Sequence, residues 1–159
     1  MSVFIDTELW IFALKIPEKS NFKEEAEYES AIERYNFAFE FLRQKLSTSK
    51  ILMTNFQICE LFHGLAFRGA KLPIDYVQKY CALLISSDFM RWYTVKKEDI
   101  NRAMELSNNN KIHIWDYLCV LPLYNDADIL YSCDEHFKDN SFKSLGKPIE
   151  NPIKEWIIF

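Results

Sequence analysis

Four acidic residues stand where the sequence is otherwise apolar. Asp6 follows Val3-Phe4-Ile5, Glu60 sits between Cys59 and Leu61, Asp116 follows Ile114-Trp115, and Asp134 comes shortly after Ile129-Leu130-Tyr131. A carboxylate in such surroundings costs several kcal/mol unless it is paired or bound to a metal. Each also has an ordinary reading. Asp6 before Thr7 can cap a helix, Asp116 can serve the dipole at a helix start, and Asp134 with Glu135 can open a turn. Glu60 fits none of these. Gathered in one place, the four would offer only hard oxygen donors, which suit Mg²⁺ or Mn²⁺ better than Zn²⁺.

Ser132-Cys133-Asp134-Glu135-His136 raises two further possibilities, a zinc site or a proton relay. The cysteines, Cys59, Cys81, Cys119 and Cys133, lie far apart with no C-x-x-C and no histidine at zinc-ligand spacing, so they read as ordinary buried thiols. His63 reads as a surface residue of a helix, and Glu8, Glu135 and Asp139 as outer or solvated acids. Covalent and nucleotide-driven chemistries have no support, because no Ser-His-Asp arrangement, Gly-rich phosphate loop or nucleophile elbow is present.

The elements that must position the acids follow from spacing. Residues 2–5 form a short strand that stops at Asp6, and residues 8–14 a buried helix that ends ahead of Pro17. Apolar residues from Tyr28 through Ile32, Tyr35, Ala38, Phe39 and Leu42 to Leu46 predict an amphipathic helix over 24–46. Residues 51–53 form a second strand, followed by a helix over 56–65 capped by Thr54 or Asn55. Pro73 opens a helix with Ile74, Val77, Cys81 and Leu84 on one face, residues 91–95 form a third strand, and residues 97–108 a helix stopped by three asparagines. Residues 114–124 form a buried helix that bends or ends early at Pro122. Residues 129–131 are the fourth strand, and the tail from Pro148 adds a fifth at an edge, limited by Pro152. Strands alternating with helices predict parallel pairing in a sheet covered on both faces. Ligands of such sheets gather at the carboxyl ends of the strands, where Asp6 and Asp134 both fall.

Taken in order, "VFIDT", "ICEL", "IWDYLCVLPL" and "DILYSCDEHF" resemble the four acidic motifs of PIN-domain proteins, the nuclease family that includes VapC-like toxins. The resemblance runs from Ser2 to about Phe137, and the last block carries most of it. It implies a three-layer α/β/α sandwich around a parallel sheet of four to five strands, with Asp6, Glu60, Asp116 and Asp134 as the metal-binding, catalytic acids. Thr7 and Ser132 become their hydroxyl neighbours, while Cys133 and His136 become bystanders. Two Mg²⁺ or Mn²⁺ ions about 4 Å apart would then drive in-line attack on a phosphodiester, as in an endoribonuclease that leaves a 5′-phosphate and a 3′-hydroxyl. The sequence departs from the family at His113, where a small hydroxyl residue is common, at Tyr117, where alanine is common, and at Pro122.

Partners are bounded by composition. The 159 residues, read as one domain, are 49% hydrophobic and 16% aromatic, with only 3 Gly and 5 Pro, which leaves no room for long disordered tracts. Neither a membrane span nor a signal peptide is indicated, so the expected location is the cytoplasm. A net charge of −4 argues against holding nucleic acid by charge alone, unless metal ions supply the positive charge. RNA is the expected substrate and a cognate antitoxin a possible partner. The competing readings are a processing nuclease that is not a toxin and a non-catalytic module that holds RNA or protein in the same cleft. Phe37 and Phe41, one turn apart and off the helix stripe, predict a contact with a second subunit or an antitoxin.

Overall fold

The computed structural model describes residues 1–159, and its order of elements follows the predicted alternation. β1 (Ser2–Ile5) leads into α1 (Thr7–Leu14), and α2 (Glu25–Thr48) leads into β2 (Lys50–Thr54) and α3 (Asn55–Phe67). After α4 (Ile74–Ser86) come β3 (Met90–Tyr93), α5 (Lys97–Asn110), α6 (Ile114–Val120), β4 (Ile129–Tyr131), α7 (Asn140–Lys143) and β5 (Ile149–Glu150). The five strands form one all-parallel sheet in the order β3-β2-β1-β4-β5. No helix is long and apolar enough to cross a membrane.

Alternation along β1 divides the core. Val3 and Ile5 point to one face and join residues of α1, α2, α3 and α4, while Phe4 points to the other and joins α5, α6, Phe137 and Phe142. The sheet is therefore covered on both faces, as three layers. β1 lies at the centre with all three of its core residues fully buried. Its carboxyl end is thus flanked by those of β2 and β4, the crevice position of open α/β sheets.

Local signals explain most element ends. Thr54 caps α3 by accepting from the Gln57 N–H at 3.0 Å, and α6 stops at Val120, because Pro122 has no N–H to continue the ladder. α5 runs through all three asparagines to Asn110 and is capped by Lys111, which takes the left-handed conformation (φ 57°). Ile74, expected on the core face of α4, is exposed; Val77, Cys81 and Leu84 are buried as expected.

The reading of α2 needs correction. Ala38 and Leu42 are its buried residues, and Phe37 and Phe41 pack beside them against the same core, whereas Phe39 is exposed and stacks on Tyr35. Ala38 is fully buried, and its neighbours at i−1 and i+3 pack into the same cluster. Phe41 meets Tyr131 of β4 edge-on, with ring centroids 4.7 Å apart, and Lys154 lies over Phe37 at 4.9 Å. The pair therefore serves the domain's own packing first. Phe41→Ala is expected to lower unfolding free energy by about 2 kcal/mol, roughly half the cost at a fully buried phenylalanine. Urea denaturation measures it, and a change in association state without loss of stability would restore the interface reading.

Candidate metal centre

Each of the four acids is brought to the carboxyl edge of the sheet by a different element. Asp6 is the residue after β1 and the N-cap of α1; one oxygen accepts the Thr7 N–H at 2.8 Å and the other accepts the Ser132 hydroxyl at 2.6 Å. Asp134, three residues past β4, accepts the His136 N–H at 2.9 Å, and its own N–H donates to Ser132 Oγ at 3.0 Å. Ser132 therefore ties the β1 and β4 acids together. Glu60, in the second turn of α3, accepts the Thr7 hydroxyl at 2.5 Å and the Cys119 thiol at 3.6 Å, both on Oε2. Asp116 lies in the first turn of α6.

All four acids line one cavity of about 240 Å³, together with Thr7, Glu8, Arg68, His113, Trp115 and Phe159. Asp6 and Asp134 are 6% and 5% exposed, so neither is solvated in the ordinary sense. No lysine or arginine pairs with any of the four. Arg68, the only such residue on the cavity wall, binds Glu8 at 2.8 Å instead. Its position depends on Gly64, where an added Cβ would come within 2.8 Å of the guanidinium and 2.5 Å of Ile11.

Crowding and burial show in the acid strengths. Burial, then the neighbouring Asp116, holds the Asp6 carboxyl well above its ordinary range. Burial, then Asp134 and Glu60, pushes Asp116 up to about 8. Glu60 is raised by burial and pulled back by its Thr7 hydrogen bond, and Asp134 is raised by burial and pulled back by the His136 N–H. Like charges that cannot leave one another favour protonation. A bound cation would remove that repulsion.

His136 was expected to stand aside and does not. Its Nδ1 is 3.2 Å from Asp116 and 3.4 Å from Asp134, and ligand atoms of these three residues all lie within 4.8 Å of one another. His113 sits beside it, with ring centroids 5.3 Å apart. The group fits a hard divalent cation, because Asp116 Oδ1 and Asp134 Oδ2 accept no hydrogen bond from the protein and the two carboxylates outnumber the imidazole, whereas Asp6 and Glu60 line the same cavity but stand outside this close group. Elsewhere His63 is exposed and stacks on Phe67, as a surface histidine, while Cys59 is exposed rather than buried. Arg68 and Trp115 escaped the sequence reading. Neither carries a spacing signal, although Trp115 directly precedes Asp116.

No family model and no curated protein sequence matches the chain. Solved structures do. VapBC2 from Rickettsia felis, bound to a DNA fragment from its promoter, aligns over 95% of this chain and 98% of that one, with TM-score 0.56 and 14% identity. The Mycobacterium tuberculosis VapC20 toxin, which cleaves the sarcin-ricin loop, aligns over 91% and 95%, with TM-score 0.53 and 16% identity. FitAB bound to a DNA fragment aligns over 95% of each chain, with TM-score 0.57 and 11% identity. The five-stranded parallel sheet and its flanking helices are the PIN-domain fold of the VapC- and FitB-type toxins.

Proposed function

We propose that the protein is a Mg²⁺- or Mn²⁺-dependent endoribonuclease, the toxin of a toxin–antitoxin pair. The observation that carries this is the convergence of four carboxylates on one cavity with no lysine or arginine paired to any of them. Clustered carboxylates destabilise a folded chain unless a cation joins them. Asp6, Asp116 and Asp134 would hold the ions, and Glu60 would hold an ion or orient the attacking water. Such ions supply positive charge for a phosphate and lower the pKa of water. Ser132 and Thr7 fix the rotamers of Asp6 and Glu60 through their hydroxyls, so the cluster is organised before any cation arrives. His136 sits against both Asp116 and Asp134 and orders their side chains in the metal-free protein.

The toxin role rests on the structural relatives. VapC20 is a toxin that cleaves RNA, and the VapBC2 and FitAB structures are of toxins with their antitoxin partners on DNA. A purified sample incubated with structured and single-stranded RNA should cleave it with Mg²⁺ or Mn²⁺ and stop in EDTA. Cleavage that persists in EDTA would remove the metal mechanism. Tight RNA binding without cleavage under any divalent cation would make the cleft a holding site.

A further inference from the structure

Trp115 is 52% exposed, yet it lies at the rim of the acidic cavity, one residue before Asp116. Its indole lies almost parallel to Phe56, with centroids 5.6 Å apart and planes 11° apart. Phe56 in turn packs against the core on the α6 side of the sheet. One indole face is therefore backed by a ring that the core anchors, and the exposure belongs to the other face and the edge. Such a surface accepts a flat π-system.

The charge around it decides which kind. The protein carries a net charge of −4, the cavity is walled by acids, and Arg68 is engaged by Glu8. Cations of the chain contribute little to holding phosphates here, so a nucleic acid must gain affinity through its bases. The faces of paired bases are already stacked on one another, whereas those of unpaired bases are free. We propose that Trp115 is a stacking platform for an unpaired nucleobase beside the scissile phosphate. This deepens the nuclease reading and rests on it for the presence of a nucleic acid in the cleft.

The test measures binding of a short labelled single-stranded RNA, and of the same strand annealed to its complement, with Ca²⁺ as the only divalent cation. Trp115→Ala should weaken single-strand binding about 5- to 150-fold, the range that loss of one base–aromatic stack gives. Trp115→Phe should restore most of it, and duplex binding should be weak and unchanged in both variants. The ratio between wild type and Trp115→Ala should stay constant from about 50 to 200 mM salt, because stacking releases no counterions. Equal affinities for wild type and Trp115→Ala, or an equal loss for duplex, would overturn the proposal, and the indole would then face a protein partner. The two readings separate cleanly. Trp115-dependent binding in a protein that cleaves nothing keeps the platform and removes the nuclease; metal-dependent cleavage indifferent to Trp115 does the reverse.

Discussion

Asp116→Asn should lower Mg²⁺- or Mn²⁺-dependent RNA cleavage at least about 100-fold, since losing even a partner of a metal ligand costs about 10- to 100-fold. The substitution is nearly isosteric, and the one hydrogen bond of the Asp116 carboxyl is the one it shares with His136. Neither the cap of α6 nor its ladder depends on that side chain, because the cap residue is His113 and makes no side-chain cap bond. Circular dichroism should therefore be unchanged while the single-turnover rate falls. Wild-type rates in this variant would show that the α6 acid is no ligand and would leave the four-acid centre without its middle member.

Divalent cations should raise the melting temperature by several degrees. A ligand bound only by the folded state adds about 2.7 kcal/mol at a hundredfold excess over Kd, and each kcal/mol is worth roughly 2–4 °C in a chain of this size. pH dependence gives the idea its sign. Without metal, the folded Asp116 titrates near 8, whereas an unfolded aspartate titrates near 3.9. Between those values the folded protein holds a proton that the unfolded chain has lost, so stability falls as pH rises from about 4 to about 8. Asp6, Glu60 and Asp134 are raised as well and act in the same direction. Cations compete with those protons, so the shift produced by Mn²⁺ should grow with pH. Metal-free Asp116→Asn should be at least as stable as wild type near pH 8, with a flatter pH profile and a smaller gain from Mn²⁺. Calorimetry across this range is the measurement. An Mn²⁺ shift of wild-type size in the variant, or stability that rises with pH in the metal-free protein, would contradict repulsion as the organising force.

What could be read from the sequence was what short-range chemistry determines. Val3-Phe4-Ile5 before Asp6, Thr54 before its helix and Pro122 within an apolar run each act on immediate neighbours, and the elements end where those residues say. The acids were legible as oddities of burial and became a set only through the ordered resemblance. What escaped was decided by distant partners. Phe37 and Phe41 fall off an averaged helical stripe, but Tyr131 and Lys154, from the far end of the chain, give them company. His136 reaches Asp116 only because a tight turn after β4 faces the start of α6. Trp115 draws its meaning from Phe56, on a helix 59 residues earlier in the chain.

The hydrogen bond from Ser132 to Asp6 joins residues 126 positions apart, and β1 pairs with both β2 and β4. Contacts so far apart in the chain form slowly, because loop closure precedes their reward. During synthesis, the early segments can pair β1 with β2 and β2 with β3, which brings Asp6 and Glu60 together while Asp134 has yet to be made. β4 must then dock on an open edge of β1, and Ile157, which bridges Asp134, follows later still. A growing chain thus carries Asp6 and Glu60 well before Asp134. The complete cluster therefore forms only once β4 has docked on β1 and closed a span of more than a hundred residues.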